Sequence, residues 1–254
     1  MPRILLLLLF FFLLDPVFAR ESVLDKAIAR GYIVVGTTAD YHPFTYQESD
    51  RYGGFDIELA RLIAAELGVE VRFVHTTWSD LTAHLKAERF DLAVGGITRT
   101  LRRQQVAAFT EPVHVIGKCP LVRAEDANNF TSLESIDKED VIVAVNPGGT
   151  NEAYVRRNLN RAKIMTVEDN LSIPELVATG GADVMITDNV EAVNSSRRDP
   201  RLVAVSPFQP WTRETLGLMT HRDDQAFLNW LNLFLYQVEA DGRLDELRER
   251  FGLK

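Results

Sequence analysis

The stretch Val145-Asn146-Pro147-Gly148-Gly149-Thr150-Asn151-Glu152 has the residue types of an anion-binding turn. Residues 141–145 are apolar and largely β-branched, which predicts a buried strand, and residues 151–159 predict a helix. Glycines let the backbone approach a ligand closely, and free N–H groups at a helix start favour an anion. Thr150 or Asn151 is expected to cap the helix. The turn therefore binds a carboxylate or phosphate, or it is a strand-to-helix turn that binds nothing.

Two acidic residues, Asp188 and Glu191, follow another strand pattern at residues 183–188. A carboxylic acid that stays neutral near pH 7 can donate a proton, which requires a pKa raised by burial or by a nearby like charge. Asp188 would supply such a charge, since Glu191 lies three residues further on, in the first turn of the next helix. The alternative is structural, with Asp188 capping this helix and Glu191 completing a capping box that suits the helix dipole.

Alternating strand and helix patterns must position these groups. Over the first hundred residues after the N-terminal segment they predict an α/β fold with a largely parallel sheet. Ligands of such sheets bind at the carboxyl ends of the strands, where residues 38–40, 76–78 and 95–98 lie. Residues 112–122 are extended and apolar, the alternation restarts after them, and residues 207–210 lead back. The chain therefore folds into two α/β lobes, with the C-terminal helices rejoining the first lobe.

The composition argues against several kinds of partner and site, and the N-terminal residues predict the location of the protein. The formal net charge of −8 argues against nucleic acid and against an anionic membrane surface as partners. Cys119 is the single cysteine, which rules out an intrachain disulfide, and the five histidines are scattered, so no metal site is predicted. Residues 1–19 combine a basic start, an apolar core and a small-x-Ala end. They predict a signal peptide cleaved near Ala19, hence a periplasmic or secreted protein, with an uncleaved anchor as the alternative.

Four motifs occur in order along the chain: Gly54-Phe55-Asp56-Ile57-Glu58-Leu59-Ala60, Trp78-Ser79-Asp80-Leu81, Phe90-Asp91-Leu92-Ala93 and Phe109-Thr110-Glu111-Pro112. Together they resemble the extracellular solute-binding proteins of the polar amino-acid type, family 3, over essentially all of the mature chain. The resemblance implies a periplasmic-binding-protein-like fold of type II, in which a two-stranded hinge joins two α/β lobes and the ligand occupies the cleft between them. We predict lobe 1 at residues 20–115 plus 212–254 and lobe 2 at residues 116–211.

Two second-lobe segments resemble a narrower group. Residues 145–152, together with Ile186-Thr187-Asp188-Asn189-Val190-Glu191-Ala192, look like the periplasmic cyclohexadienyl dehydratases. These enzymes convert prephenate to phenylpyruvate, and often arogenate to phenylalanine, by losing water and carbon dioxide, without a metal or organic cofactor. The segment of residues 40–44 is expected to be a loop held extended by Pro43. Its His42 replaces a lysine of the group's pattern and is expected to bind a carboxylate, to titrate near neutrality, or to be a plain loop histidine.

The resemblance implies a role for each cleft residue. Arg103 follows the Gly96-Ile97-Thr98 turn at the family's spacing and would grip a ligand carboxylate, with Thr98 as a further donor. A solvated surface arginine is the alternative. Glu191 matches the general acid that protonates the departing ring hydroxyl. Asp188 matches the acidic group that meets a ligand ammonium, which arogenate has and prephenate lacks. The remaining predicted substrate contacts are Asp40, Tyr41, Trp78, Lys118, Asn146, Thr150 and Asn151.

Two main hypotheses follow, and Glu191 separates them. The first is a cofactor-free lyase, a dehydratase of phenylalanine biosynthesis acting on a small dicarboxylate, prephenate or arogenate. The second is a non-catalytic protein that binds an amino acid or a related carboxylate and delivers it to the permease of an ABC transporter. A sensory or inactive relative with the same fold is a third alternative. Nucleic acid is not an expected partner, and a homo-oligomer remains open.

Overall fold

The computed structural model describes residues 21–254, so the predicted signal peptide lies outside the described residues. The elements follow in the order α1 (Val23–Arg30), β1 (Tyr32–Thr37), β2 (Asp40–Tyr41), β3 (Thr45–Glu48), β4 (Arg51–Gly53), α2 (Phe55–Leu67), β5 (Glu70–His75), α3 (Leu81–Lys86), β6 (Leu92–Ala93), α4 (Leu101–Gln104), β7 (Ala107–Phe109), β8 (His114–Ile116), β9 (Lys118–Arg123), α5 (Leu133–Ile136), β10 (Ile142–Val145), α6 (Thr150–Asn158), β11 (Lys163–Thr166), α7 (Ile173–Ala178), β12 (Val184–Asp188), α8 (Asn189–Arg198), β13 (Leu202–Ala204), β14 (Glu214–Leu216), β15 (Met219–His221), α9 (Gln225–Ala240) and α10 (Arg243–Arg250). Within this range no helix has both the length and the apolar character that a membrane crossing requires.

Two five-stranded sheets form the centres of the two lobes. The first has the order β5-β1-β6-β15-β7, in which β1 runs parallel to β5 and β6 while β15 runs antiparallel to its neighbours. The second has the order β11-β10-β12-β9-β13, with β10 parallel to β11 and β12 and with β9 antiparallel to β12 and β13. Because β15 joins the first sheet, the C-terminal part of the chain returns to the first lobe as predicted.

The antiparallel pair β8–β14 provides the two crossings between the lobes. β8 leads from the first sheet to β9 of the second, and β14 leads from β13 back to β15. The predicted two-lobed α/β fold with a two-stranded hinge is thereby confirmed. The residue boundaries assigned to each lobe stay a prediction.

Two local predictions are wrong, and one structural alternative fails. Gly149, not Thr150 or Asn151, occupies the N-cap position of α6, and no side chain caps that helix. Asp188 occupies the N-cap position of α8 but makes no capping hydrogen bond, so the capping-box alternative for Glu191 fails. Residues 40–44 are not an extended loop, because β2 pairs with β3 in a tight hairpin that contains a cis His42–Pro43 bond.

The Gly54-Phe55-Asp56 motif joins α2 to the turn that follows β6. Asp56 is almost fully buried, and one oxygen of its carboxylate accepts hydrogen bonds from the backbone N–H groups of Gly95 and Gly96, each at 2.7 Å. Burial raises the pKa of Asp56 to about 6, against the two N–H donors, which lower it. The motif therefore fixes a turn whose Gly96 lines the cleft described below.

We expect Asp56→Ala to lower the free energy of unfolding by about 2–4 kcal/mol, because two buried N–H groups lose their acceptor. Asp56→Asn is the matched variant: its amide oxygen can accept both bonds, but its amide nitrogen would lie where Asp56 Oδ1 is buried without a partner, so this variant should recover only part of the loss. Urea unfolding of the three proteins at pH 7 measures both effects. Equal losses in the two variants would contradict this account of the motif.

Candidate functional site

A narrow cleft lies between the lobes, where strands of both sheets end. Most of the predicted site residues line it: Tyr41, Trp78 and Thr98 from the first lobe, and Asn146, Thr150, Asn151, Asp188 and Glu191 from the second. Arg103, Asp40 and Lys118 do not line the cleft themselves but bond to residues that do. The structure thus brings the predicted residues together, while their roles as ligand contacts stay predictions.

Lys118 and Asp188 form an ion pair in the wall of the cleft. They are direct cross-strand partners of β9 and β12, and both are buried, with Lys118 0% and Asp188 3% exposed. Lys118 Nζ lies 2.6 Å from Asp188 Oδ1, 2.6 Å from Asn151 Oδ1 and 3.0 Å from Thr150 Oγ1. An ammonium group has three hydrogens to donate. All three therefore have acceptors, and the cation is satisfied within the protein.

Glu191 is buried beside this pair without a cation of its own. Its carboxyl oxygens accept hydrogen bonds from two neutral donors. The Thr187 hydroxyl donates to Oε2, and Asn170 Nδ2 donates to Oε1 at 2.9 Å. Burial, with the negative charges of Asp188 and Asp40 adding to it, raises the pKa of Glu191 to about 8 although both donors lower it. With this pKa the Glu191 carboxyl, which lines the cleft, is mostly protonated at neutral pH.

Arg103 lies under the first-lobe side of the cleft. Its Nη1 donates to the backbone carbonyl of Thr98 at 3.0 Å, and the guanidinium lies 5.9 Å from the centre of the Trp78 ring. Burial, followed by repulsion from Arg102, lowers its pKa to about 10, so the group stays charged at pH 7. Among residues 21–254 no carboxylate forms a salt bridge with it. A half-buried cation with unused donors can bind a carboxylate from a ligand.

Hydrogen bonds across the cleft hold the lobes against each other. The Tyr41 hydroxyl donates to Asp188 Oδ2 at 2.5 Å, and the hydroxyl groups of Thr98 and Thr150 lie 3.3 Å apart. Burial, with the charge of Asp188 next, raises the pKa of Tyr41 well above its usual range, which keeps the hydroxyl protonated. The structure is therefore a closed arrangement in which predicted ligand contacts bond to one another.

The anion-binding turn predicted from residues 145–152 also touches the first lobe. A Cβ atom at Gly148, whose φ is +79°, would lie 2.3 Å from Ser79 Oγ, so only glycine fits this close approach. Asn146 is buried at the cleft and has no side-chain hydrogen bond to the described residues. Asn151 Nδ2 donates to Thr187 Oγ1 at 3.0 Å. The turn thus reaches Glu191 through the Thr187 hydroxyl.

Trp78 and Asp40 form a first-lobe pair at the rim. The indole Nε1 donates to the Asp40 carboxylate at 3.0 Å, and the Trp78 ring meets the Tyr41 ring edge-on with centres 6.0 Å apart. Burial raises the pKa of Asp40, against hydrogen bonds that lower it. His42, in contrast, does not line the cleft but stacks on Tyr46. Burial, then Arg198, lowers the pKa of His42 to about 4, so it does not titrate near neutrality.

Three residues of the site were not among the contacts predicted from the sequence. Thr187 and Asn170 bond to Glu191, and Glu214, in the hinge strand β14, lies 3.6 Å from Lys118 Nζ. Asn170 follows β11, and the rule that ligands bind at the carboxyl ends of parallel strands would have drawn attention to it. No local sequence pattern could have indicated Glu214, because it is distant from Lys118 in the sequence and only the hinge brings the two together.

Residues 33–254 match the family model of the bacterial extracellular solute-binding proteins, family 3. The chain is 38% identical over 234 residues to the cyclohexadienyl dehydratase of Pseudomonas aeruginosa, in an alignment covering 92% of this chain and 87% of that protein. It is 26% identical over 236 residues to the L-cystine-binding protein TcyJ of Escherichia coli K12, with coverage of 92% and 87%. Both a dehydratase and a binding protein are thus similar to it over nearly their full length.

Solved structures give the same two kinds of relative. An ancestral amino-acid-binding protein, described as a precursor of cyclohexadienyl dehydratase, is 38% identical with a TM-score of 0.86, covering 91% of this chain and 99% of that one. An ancestral cyclohexadienyl dehydratase is 48% identical with a TM-score of 0.57, covering 91% and 96%. An amino-acid-binding protein and a dehydratase are therefore both similar to this chain among the solved structures as well.

Glu191→Gln should make the protein more stable above neutral pH. The folded chain holds the Glu191 proton more tightly than the unfolded chain, so the stability of the parent falls as the pH rises from 4.5 through about 8. Glutamine has no proton to lose, and we expect a gain of roughly 1–3 kcal/mol at pH 8 and much less at pH 5. Thermal unfolding at both pH values measures the difference. The exposed Glu246 provides the control, since Glu246→Gln should change the melting temperature little and equally at both.

Proposed function

The chain belongs to the bacterial extracellular solute-binding proteins of family 3, and from this premise we propose that it is a cyclohexadienyl dehydratase. The proposed reaction converts prephenate to phenylpyruvate, and arogenate to phenylalanine, with Glu191 as the general acid. The observation that carries the proposal is the Glu191 carboxyl group, which is buried in the cleft, has no cation of its own and has a pKa near 8. A binding site for a carboxylate has no use for such an acid, whereas the loss of a ring hydroxyl needs one.

The proposed reaction makes Arg103 the carboxylate-binding group. Its free guanidinium donors bind one carboxylate of the substrate, with the Thr98 hydroxyl beside it. The turn of residues 145–152 faces the same space from the second lobe and contributes Asn146 and Thr150. Trp78 and Tyr41 give the ring an aromatic wall. The substrate then lies with its hydroxyl toward Glu191.

Proton transfer from Glu191 starts the bond changes. The proton moves to the oxygen of the ring hydroxyl, the C–O bond breaks, and its electron pair leaves with water. The bond between the ring carbon and the ring carboxylate breaks at the same time or next, carbon dioxide departs, and that electron pair completes the aromatic ring. Glu191 becomes a carboxylate that the Thr187 hydroxyl and the Asn170 amide stabilise, and it regains a proton from water after the products leave.

A non-catalytic amino-acid-binding protein is the second candidate, and the L-cystine-binding relative supports it. In such a protein an acidic group would meet the ligand ammonium. Asp188, the matching residue, already accepts hydrogen bonds from Lys118 and Tyr41. This engagement leaves it less free to bind a ligand ammonium, which favours a dehydratase and, of its two proposed substrates, prephenate over arogenate. A protein that feeds an ABC transporter would also need its permease as a partner, which the dehydratase does not.

The proposed location is the periplasm or the exterior of the cell. The N-terminal residues 1–19 have the pattern of an export signal, and the family is described as extracellular. Prephenate would then have to reach the enzyme outside the cytoplasm.

Incubation of the purified protein with prephenate, followed by measurement of phenylpyruvate, tests the proposal. We expect turnover by the parent and a loss of about 10³-fold in kcat for Glu191→Gln, because the proton donor is gone. Glu246→Gln should retain full activity. An inactive parent whose melting temperature rises with amino acids would favour the binding protein, and an active Glu191→Gln variant would remove Glu191 from the mechanism.

Arg103→Met should weaken substrate binding by about 100-fold, because a buried charge-assisted contact with the carboxylate is lost. The measurement is a calorimetric titration with prephenate in the Glu191→Gln background, where no turnover disturbs the heat. Arg102→Met is the matched control, since Arg102 is an exposed neighbour. Equal affinities of all three proteins would show that Arg103 does not hold the carboxylate.

A further inference from the structure

Asn170 connects the proposed general acid to the opposite lobe. It follows β11 of the second lobe, and its side chain is 3% exposed. One Nδ2 hydrogen is donated to Glu191 Oε1 at 2.9 Å and the other to the backbone carbonyl of Asp40, in the first lobe, at 2.8 Å. Because the Asp40 carbonyl can only accept, the amide nitrogen must face it, which fixes the orientation of the amide.

The oxygen of the same amide has no partner. Asn170 Oδ1 is fully buried and makes no hydrogen bond to any described residue, and Asn170 lines the cleft. A buried acceptor that stays unpaired is unfavourable, and such groups are uncommon in folded proteins. Two of the three groups of this amide are held by the protein, so the third is oriented and free to meet a ligand.

We propose that Asn170 is a positioning residue that orients Glu191 through Nδ2 and accepts a hydrogen bond through Oδ1 from the hydroxyl group that leaves the substrate. The inference rests on the proposed dehydratase function and deepens it. The hydroxyl hydrogen points to Asn170 while a lone pair of its oxygen faces the proton of Glu191. No bond to Asn170 forms or breaks.

The link to Asp40 makes this arrangement depend on closure of the lobes. When the lobes separate, the 2.8 Å bond between Asn170 and the Asp40 carbonyl is lost, and the amide is free to rotate. The charged groups around Glu191 are Asp188 and Asp40, with Lys118 neutralising Asp188 on its far side. Asn170 therefore links the position of the first lobe to the orientation of the Glu191 carboxyl group.

Asn170→Leu tests the proposal, since leucine keeps the branching of the side chain at Cγ while it removes the donors and the acceptor. We expect kcat to fall by about 30-fold with a smaller change in KM, because the contact matters most as the hydroxyl leaves. The alkaline limb of the pH–rate profile should move to higher pH, since the Asn170 hydrogen bond lowers the pKa of Glu191. Asn158→Leu is the matched control, as Asn158 bonds to the Tyr154 carbonyl outside the cleft, and should leave kcat and the limb unchanged.

An unchanged kcat and alkaline limb in Asn170→Leu would overturn the inference, and Asn170→Ala replaces it if the leucine variant does not fold. Carbon-13 NMR titration of the Glu191 carboxyl, assigned by its absence in Glu191→Gln, separates this failure from a failure of the proposed function. If the parent does not convert prephenate, the dehydratase proposal and the hydroxyl contact fall. A higher Glu191 pKa in the Asn170 variant would still support the positioning contact, and an unmoved pKa would refute it.

Discussion

The carboxyl groups of Asp188, at the end of β12, and Glu191, in the first turn of α8, are both buried. Only Asp188 forms a salt bridge with the ammonium group of Lys118. Burying a charge is unfavourable unless an opposite charge and hydrogen bonds compensate for it. The antiparallel register of β9 against β12 sets Lys118 opposite Asp188, so that Asp188 receives the compensation. Glu191 receives only neutral donors and keeps its proton. The pairing of two strands thus decides which carboxyl has an ammonium partner and which has a raised pKa.

The burial of Glu191 depends in turn on the closed lobes. Contacts from the first lobe cover the second-lobe groups: Tyr41 bonds to Asp188, and Asn170 bonds to the Asp40 carbonyl. A ligand has to enter while such contacts are open and re-form them around itself, which shifts the population toward the closed state. The desolvation that raises the pKa of Glu191 is then largest when the lobes have closed. The contacts that close the lobes thus also raise the pKa of Glu191.

Local sequence patterns predicted the sheets and the cleft edge well, because strand ends in α/β folds collect ligand-binding residues. The turn at residues 145–152 and Asp188 lie there as expected. The predicted cap of α6 was wrong and the alternative of Asp188 as the cap of α8 fails, since Thr150 and Asp188 bond to Lys118, and a cross-strand lysine is not visible in a local window. Asn170 was missed for a related reason: its partners, Asp40 and Glu191, come from distant segments. The local pattern gave no reason to prefer a catalytic role for Glu191, and that prediction came from the resemblance to the dehydratases.

An amino-acid binder and a dehydratase can share this fold, because function resides in the site and not in the architecture. What separates them is the charge state of the second-lobe wall. A wall meant for an ammonium needs an unpaired carboxylate, and here Lys118 already lies 2.6 Å from Asp188. A wall meant for a departing hydroxyl needs a neutral acid, and Glu191 supplies one at a cost in stability above neutral pH. In the proposed enzyme this destabilising buried carboxyl would perform the chemistry, whereas a protein that only binds would gain no catalytic step from it.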